Sequence, residues 1–460
     1  MNYADFVSRK LALIPPSGID DSFVDTKHLF PHQADLAKWA ARRGRAAVFA
    51  ETGLGKMRIE LTWADAVCRA TKGNVLILSP LAVAQQIVKE GQTIELDVTH
   101  CHEDSDVRDG INVINYDRLH KIDPERFSGV VLDESSIIKH HDTKTLKHLL
   151  ESFSRTPYRL PASATPAPND WTELGTHAEF LGVCSRSEML SEYFVHDAAN
   201  TQEWRLKGHA RKMFWKWVSS WGAMVRSPED LGHDGSQYKL PPLNVHEHTV
   251  EANQSTEGQL FLMEAQTLSE RRDARRASMN ERVRACADMV NSNDETWIVW
   301  CDLNAESDEL CKAIPGSVEI RGSDSTEVKE RRLRDFAEGR IRVLVSKPSI
   351  CGWGLNWQHC SHMAFVGVTD SFEAYYQAVR RIWRFGQKRE CNVHIFASEQ
   401  EGSIVTNLKR KEADAKRMSE ALSIETLEAV RSEILGVSRA VNLYEPHMKI
   451  EIPSWLTEAA

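Results

Sequence analysis

The sequence predicts an α/β protein that consists of two parallel-sheet domains in tandem, with a helical insertion between them. Two sets of short apolar runs carry this prediction, because each run is bounded by turn residues or followed by a helical pattern. The first set is RAAVFA, NVLILSP, INVINY, GVVLDE and YRLPASAT, and the second is WIVWCD, VEIRG, RVLVS, HMAFVG and NVHIFA. Intervening stretches such as MRIELTWADAVCRA supply the crossover helices that parallel strands require.

Four segments follow from this alternation. Residues 1–183 form the first α/β domain. Residues 184–242 break the alternation with helical periodicity and many aromatic residues, and the prolines of KLPPL mark the approach to the next domain. Residues 243–404 form the second α/β domain. Residues 405–460 read as a charged C-terminal helix and a tail that we expect to dock on the protein's own core or on a protein partner.

The composition is that of an ordinary globular protein. With 57 Lys+Arg against 66 Asp+Glu, the net charge of -9 excludes a generally basic nucleic-acid coat, so any such binding must use local patches. The nine cysteines are scattered without a C-x-x-C pair, which argues against a disulfide framework or a closed zinc site and favours the cytoplasm. We expect no secretory signal and no membrane span, since no apolar run approaches the roughly 20 residues needed.

A strand, a glycine-bearing turn and a helix follow one another in RAAVFAETGLGKMRIE, residues 45–60. Gly53 and Gly55 allow backbone N–H groups to close on phosphate oxygens, and Lys56 with the helix N-terminus adds positive potential. The sequence therefore predicts a phosphate-binding loop rather than a turn without a ligand. Met57 stands where a hydroxyl usually ligates Mg²⁺, which predicts weaker metal binding unless Thr52 or water substitutes.

Two carboxylates, Asp133 and Glu134, end the apolar run VVLDE, at the strand end where ligands bind in open α/β sheets. Asp133 is expected to hold Mg²⁺ directly or through water, and Glu134 to orient and deprotonate an attacking water. The next run ends in SATPAPND, where Ser163 and Thr165 offer hydroxyls near the same sheet edge. Alone, each motif also fits a solvated strand end or a proline turn.

Together these segments resemble the motifs of superfamily-two helicases, most closely the Swi/Snf-type double-stranded DNA translocases, including compact phage and bacterial members. The resemblance runs through most of residues 29–404. LFPHQ resembles the adenine-sensing Q motif with Gln33, AETGLGK motif I, LSPLAVAQQIVKE motif Ia, LDESS a DEAH-type motif II and SATPAPNDWTELG motif III. VLVSKPSICGWGLNW resembles motif V, and YYQAVRRIWRFGQ resembles motif VI.

The resemblance implies two RecA-like domains, ATP and Mg²⁺ as cofactors, and DNA as the partner, with duplex favoured over single strands. It assigns Arg381 and Arg384, in the pattern that starts at Gln377, as arginine fingers that enter the cleft between the domains. The alternative for these arginines is a basic helix face paired with acids. The resemblance also assigns roles to the remaining motif residues. Ser163 and Thr165 would couple ATP hydrolysis to movement, and Ser346 would contact DNA. The residues expected to bind the nucleotide are Gln33, Thr52, Gly53, Gly55, Lys56 and Gly354.

A local basic island without Asp or Glu occupies residues 205–226. Its basic side chains are candidates for DNA phosphates. The interleaved aromatic residues either stack on bases or pack in a core, and their helical spacing favours the core. The candidate DNA contacts in this island are Arg205, Lys207, Arg211, Lys212 and Lys216.

The sequence thus predicts a DNA-dependent ATPase, a translocase or helicase that couples ATP hydrolysis between two domains to movement along DNA, in a bacterial or phage-infected cell. Two alternatives stay open. Met57 motivates a nucleotide-gated DNA-binding scaffold with weak hydrolysis. An RNA helicase shares the same motifs.

Overall fold

The computed structural model contains both predicted parallel sheets, which confirms two tandem RecA-like domains. Gly354 of the motif V segment and the tail sequence IPSWL lie outside the described residues, as does most of 405–460. The structure describes residues 17–80, 83–168, 170–196, 204–250, 276–351, 356–367, 371–398, 406, 410–413, 431 and 434.

The first domain is a seven-stranded parallel sheet with helices on both faces, in the order β3-β4-β2-β5-β6-β1-β9, where β9 is Gly222–Val225. Its elements up to residue 181 are β1 (Ala47–Ala50), β2 (Asn74–Ser79), β3 (Val98–His100), β4 (Ile111–Asn115), β5 (Phe127–Asp133), β6 (Tyr158–Ala162), α1 (Pro31–Arg43), α2 (Lys56–Thr71), α3 (Ala84–Thr93), α4 (Lys144–Ser152) and α5 (Leu174–Leu181).

The central strands are apolar without interruption because both of their faces are buried. In β2, Val75 and Ile77 pack under α1, α2 and α3. Their neighbours Leu76 and Leu78 point to the opposite face and pack with α4. This two-sided burial explains why the strands show continuous apolar runs rather than alternation.

The segment predicted as an insertion contributes to the first sheet. After α6 (Arg186–Tyr193), the short antiparallel pair β7 (Phe194–His196) and β8 (Trp204–Leu206), and α7 (Arg211–Ser219), the chain forms β9 (Gly222–Val225). Strand β9 pairs in parallel with β1 as the edge of the sheet. Its four residues GAMV carry too weak a strand signal to be recognised beside a helical, aromatic stretch, so the sequence alone placed this strand in a linker.

The second domain is a six-stranded parallel sheet in the order β10-β15-β14-β11-β13-β12. Two apolar cores cover its faces. The elements are β10 (Leu243–Val250), α8 (Met279–Asn291), β11 (Trp297–Trp300), α9 (Asn304–Ala313), β12 (Val318–Ile320), α10 (Thr326–Ala337), β13 (Val343–Ser346), α11 (Pro348–Cys351), β14 (His362–Phe365), α12 (Phe372–Val379) and β15 (Cys391–Ser398).

Two described residues near the C-terminus lie against the first domain. Arg431 donates to the carbonyls of Asp230 at 2.6 Å and Glu229 at 2.7 Å. Ile434 is buried in the core beside α1, and its carbonyl accepts from Arg42 at 2.9 Å. No helix in the described parts combines the length and the apolarity needed to cross a membrane.

Candidate active site

A cavity of about 400 Å³ lies between the two domains, and both of them line it. The first domain contributes the phosphate loop, the start of α2 and the acidic end of β5. The second domain contributes side chains that follow α11 and the end of α12. The lining includes Phe30, Gln33, Thr52, Gly53, Gly55, Lys56, Met57, Asp133, Glu134, Tyr238, Gln377, Arg381, Arg384 and Phe385.

The predicted phosphate loop forms between β1 and α2. Gly53 and Gly55 have φ angles of +95° and +79°, a left-handed backbone that side chains disfavour, so the loop requires glycine at both positions. A Cβ at Gly53 would also lie 2.9 Å from the Cβ of Phe385 in the second domain. Lys56 begins α2, and its Nζ donates to the carbonyl of Ala50 at 3.0 Å, across the mouth of the loop.

Gln33 joins the start of α1 to the phosphate loop. Its Oε1 accepts from the backbone N–H of Phe30 at 3.0 Å, and its Nε2 donates to the carbonyl of Leu54 at 3.0 Å. A Cβ at Gly55 would collide with this amide group. The side chain that the sequence assigned to adenine thus lines the cavity and also sets the position of the loop.

Aromatic rings that sequence analysis did not single out line the cavity beside Gln33. Tyr238 stacks on Phe385 of the second domain with ring centroids 4.6 Å apart, and Phe30 meets Tyr238 edge to face at 6.1 Å. Tyr238 lies in a short turn before β10, where nothing in the sequence pattern indicates a binding role. Flat apolar rings beside an amide are suited to a planar heterocycle.

The two predicted carboxylates lie where expected, at the end of β5. Asp133 is buried, and burial together with the neighbouring Glu134 charge raises its pKa to about 7, although Lys56 opposes this effect. Glu134 has a φ of +53°, an unfavourable conformation for a side-chain-bearing residue that is typical of functional positions. The hydroxyl of Tyr116 donates to the carbonyl of Asp133 at 2.8 Å and fixes the end of the strand.

A third carboxylate, Glu60, was missed by sequence analysis. It lies on the buried face of α2, one turn after Lys56, and only 1% of its surface is exposed. Neither of its oxygens has a hydrogen-bond partner among the described residues, and burial together with the Asp133 charge raises its pKa well above the ordinary value. The available signal was a glutamate among the apolar residues Ile59 and Leu61, where a charge is costly to bury.

Three side chains at the end of α12 and just beyond it form the opposite wall. Arg381 donates to the carbonyl oxygen of Gln377 at 3.1 Å and to its Oε1 at 3.3 Å. Burial lowers the pKa of Arg381 to about 9 and that of Arg384 to about 10, while the Glu134 carboxylate counteracts both shifts. Both guanidinium groups therefore stay charged at neutral pH and face the acidic end of β5.

The chemistry of the site fits Mg²⁺ brought in with a nucleotide. In the described part of the chain, no group of three or more His, Cys, Asp or Glu side chains is arranged to hold a metal ion. Mg²⁺ at phosphoryl-transfer sites needs only one or two carboxylates, because phosphate oxygens and water complete its octahedron. Asp133 suits this role, since its buried Oδ2 has no hydrogen-bond partner in the described part of the chain, whereas Met57 offers no oxygen.

Comparison with known proteins identifies the second domain. Residues 281–386 match the helicase conserved C-terminal domain. The chain therefore carries a helicase C-terminal domain. It is also similar to the "Uncharacterized ATP-dependent helicase YqhH" of Bacillus subtilis (strain 168), at 22% identity over 427 residues, which is 80% of this chain and 75% of the relative. Both findings support a protein of the helicase superfamily.

The helicase C-terminal domain includes the second wall of the cavity. The matched range begins in α8 and ends at Gly386, so it contains Gln377, Arg381 and Arg384. The first-domain residues around the phosphate loop lie outside the matched range, but they line the same cavity as its arginines.

Other predicted residues lie away from the cavity. Ser163 is buried and its Oγ accepts from the N–H of Thr165 at 3.1 Å, next to β1. Ser346, predicted to contact DNA, is 1% exposed, and its hydroxyl donates to the carbonyl of Ile320 at 2.9 Å. A buried hydroxyl that is used internally has no access to a DNA phosphate, so the DNA contact at Ser346 is withdrawn.

The basic island divides into a core and a surface. Phe214, Trp215 and Trp221 are buried, as their helical spacing predicted. Lys207 donates to the carbonyls of Ser191 and Glu192 at 2.8 Å each, so its ammonium group caps the end of α6. The exposed basic side chains are Arg205, Arg211, Lys212 and Lys216.

Proposed function

We propose that this protein is a Swi/Snf-like, DNA-dependent ATPase that couples ATP hydrolysis between its two domains to movement along DNA, with duplex DNA favoured. One observation carries the proposal. Lys56, Asp133 and Glu134 of the first domain line the same cavity as Arg381 and Arg384 of the second. This set provides phosphate binding, a metal ligand, a general base and cations for the charge that develops on phosphoryl transfer.

Each residue has a role that follows from its position. The N–H groups of the phosphate loop and Lys56 hold the β- and γ-phosphates. Asp133 would hold Mg²⁺, and the bound ion would neutralise charge on the phosphate oxygens. Glu134 orients the attacking water and accepts its proton, and Arg381 and Arg384 stabilise the charge on the transferring phosphoryl group.

The same arrangement links chemistry to movement. The γ-phosphate lies between walls that belong to different domains, so its loss changes the affinity of one domain for the other. Ser163 and Thr165, at the sheet edge beside β1, are proposed to transmit this change within the first domain. Alternating closure and opening then moves DNA held across the two domains.

The exposed basic side chains of the basic island are proposed to hold the DNA. Arg205, Lys212 and Lys216 are exposed on β8 and α7, on a chain whose net charge is -9. Contacts of lysine and arginine with phosphates give affinity without sequence preference, as a translocase needs. Lys207 contributes less, because its ammonium group is already held by two carbonyls.

ATP hydrolysis with Mg²⁺, measured with duplex DNA, single-stranded DNA or RNA, tests the proposal. We expect duplex DNA to stimulate turnover most, and Glu134→Gln to abolish turnover while ATP still binds. Displacement of a triplex-forming strand from duplex DNA would then report translocation. Stimulation by RNA alone would instead assign an RNA helicase.

Met57 favours one alternative, a DNA clamp that closes on ATP and hydrolyses it weakly. Its thioether occupies the position of a Mg²⁺-ligating hydroxyl and lines the cavity. The clamp would bind ATP and DNA together without turnover. In that case Met57→Thr should raise the hydrolysis rate, whereas Met57→Leu, which also lacks an oxygen, should not.

A further inference from the structure

Helix α12 of the second domain turns one face toward the first domain. Glu373, Tyr376, Gln377 and Arg380 recur at the helical spacing of three and four residues, and Arg380 caps the helix. Gln377 lines the nucleotide cavity. The other three make polar contacts with the first domain on either side of it.

The first of these contacts joins α12 to the phosphate loop through Glu51. The carboxylate of Glu51 accepts from the hydroxyl of Tyr376, and the guanidinium of Arg380 approaches it at 3.3 Å. The loop holds Glu51 firmly, because its Oε1 accepts from the N–H of Thr52 at 2.8 Å and its own N–H donates to the carbonyl of Val225 at 2.9 Å.

The partners of Glu51 are fixed in turn. The guanidinium of Arg380 lies 4.5 Å from the ring centre of Trp383 and 5.1 Å from that of Tyr376, a cation–π arrangement. Burial acts to raise the pKa of the Glu51 carboxyl, but the Arg380 charge and the hydrogen bonds outweigh it, so that pKa lies below its ordinary value. Glu51 therefore faces α12 as an anion.

The second contact lies at the other end of the same helix face. Lys139, five residues after Glu134, forms an ion pair with Glu373 in which the side chains are only 17% and 9% exposed. A charge pair withdrawn from water tolerates the loss of one member badly, because the other is left buried and uncompensated. Both ends of α12 are thus fastened to the first domain by polar contacts.

We propose that Glu51 and Lys139 are positioning residues that seat α12 on the first domain, so that Arg381 and Arg384 face the phosphate loop. The inference rests on the proposed ATP hydrolysis and adds Glu51 and Lys139, to which the sequence analysis gave no role. It also gives Arg380 a different role from that of Arg381 and Arg384. Its guanidinium is held by Glu51 and two rings, whereas Arg381 and Arg384 line the cavity.

Two double-mutant cycles on the full-length protein test this proposal. One combines Glu51→Gln with Arg380→Met, and the other Lys139→Met with Glu373→Gln. Arginine fingers act on the transition state, so each single change should lower kcat for ATP by about tenfold or more and change KM much less. Each double variant should lose no more than its worse single variant, because no buried charge is left alone.

The matched control is Lys147→Met with Glu151→Gln, an exposed pair on the first domain. It should leave kcat unchanged in both single variants and in the double variant.

Small-angle scattering measures closure of the two domains. A substitution that only destabilised one domain would leave this closure unchanged. The decrease in radius of gyration on adding a non-hydrolysable ATP analogue should be smaller in the four single variants than in the wild type.

Wild-type values of kcat and of the scattering change in the single variants would overturn the proposal, as would losses that simply add in the double variants. A wild-type protein that hydrolyses no ATP would instead remove the proposed function. The scattering comparison would then decide by itself whether these contacts hold the two domains together.

Discussion

At the residue scale, buried carboxylates of the first domain stand opposite two guanidinium groups of the second domain. Burial and a neighbouring carboxylate raise the pKa values of Asp133 and Glu60, while burial lowers the pKa of Arg381 and of Arg384. Such opposed shifts are typical of sites where charge is rearranged during a reaction. The motifs indicated Asp133 and both arginines. They could not indicate Glu60, because its burial depends on how α2 packs against β5.

His177 gives a prediction about pH at this scale. It lies fully buried on α5, its Nε2 is 3.0 Å from the Oγ of Ser135 in the acidic motif, and burial lowers its pKa to about 4. The unfolded chain takes up the proton near pH 6.5, so stability is lost as the pH falls from there toward 4. Between pH 7 and pH 5 this loss amounts to about 2 kcal/mol.

Urea unfolding at the two pH values measures this loss. The free energy of unfolding of His177→Gln should fall less between pH 7 and pH 5 than that of the wild type, by about 2 kcal/mol. His141→Gln, at an exposed position, should keep the wild-type difference. An unchanged difference in His177→Gln would show that His177 is not held neutral.

At the element scale, most of the fold was predictable because parallel strands buried on both faces leave continuous apolar runs. The β1–α2 and β5 segments were predicted together with their chemistry. Strand β9 was not, since its position depends on pairing with β1 across more than 170 residues of sequence. The contacts of α12 with Glu51 and Lys139 were equally hidden, because they join elements whose distance in space no local pattern encodes.

A buried ion pair between α8 and α9 gives the prediction at this scale. Arg282 and Glu306 meet at 2.9 Å with both side chains fully buried, and Glu306 also accepts from the N–H groups of Asp302 and Leu303. Arg282→Met leaves the carboxylate without its cation and should lower the free energy of unfolding by about 3 to 5 kcal/mol.

Chemical denaturation measures this effect, with the exposed Arg284→Met as the control. The control should change stability by less than about 0.5 kcal/mol. A stability of Arg282→Met equal to that of the control would mean that the ion pair contributes nothing to the second domain.

At the scale of the whole molecule, two sheets from distant parts of the sequence share one cavity, and residues near the C-terminus pack back on the first domain. The order of the motifs predicted the shared cavity. The tail predicted to dock lies outside the described residues, whereas Arg431 and Ile434, which precede it, contact the first domain. The proposed DNA-binding surface of the molecule lies on β8 and α7.

The salt dependence of DNA binding tests that surface. Each lysine that contacts a phosphate adds about 0.9 to the slope of log K against log salt concentration. Lys212→Ala with Lys216→Ala should therefore reduce the slope by about 2 for every duplex sequence. Lys144→Ala with Lys147→Ala, on the exposed side of α4, is the control and should keep the slope. An equal slope in both double variants would place the DNA elsewhere.

The central claim is that both domains form one ATPase site. The most direct measurement compares ATP binding with ATP turnover in Arg381→Ala and Arg384→Ala, at saturating duplex DNA. We expect each variant to bind ATP within about threefold of the wild type, while kcat falls by about 10³-fold or more, because the arginines act on the transferring phosphoryl group. Turnover at the wild-type rate in both variants would contradict it, since the second domain would then take no part in the chemistry.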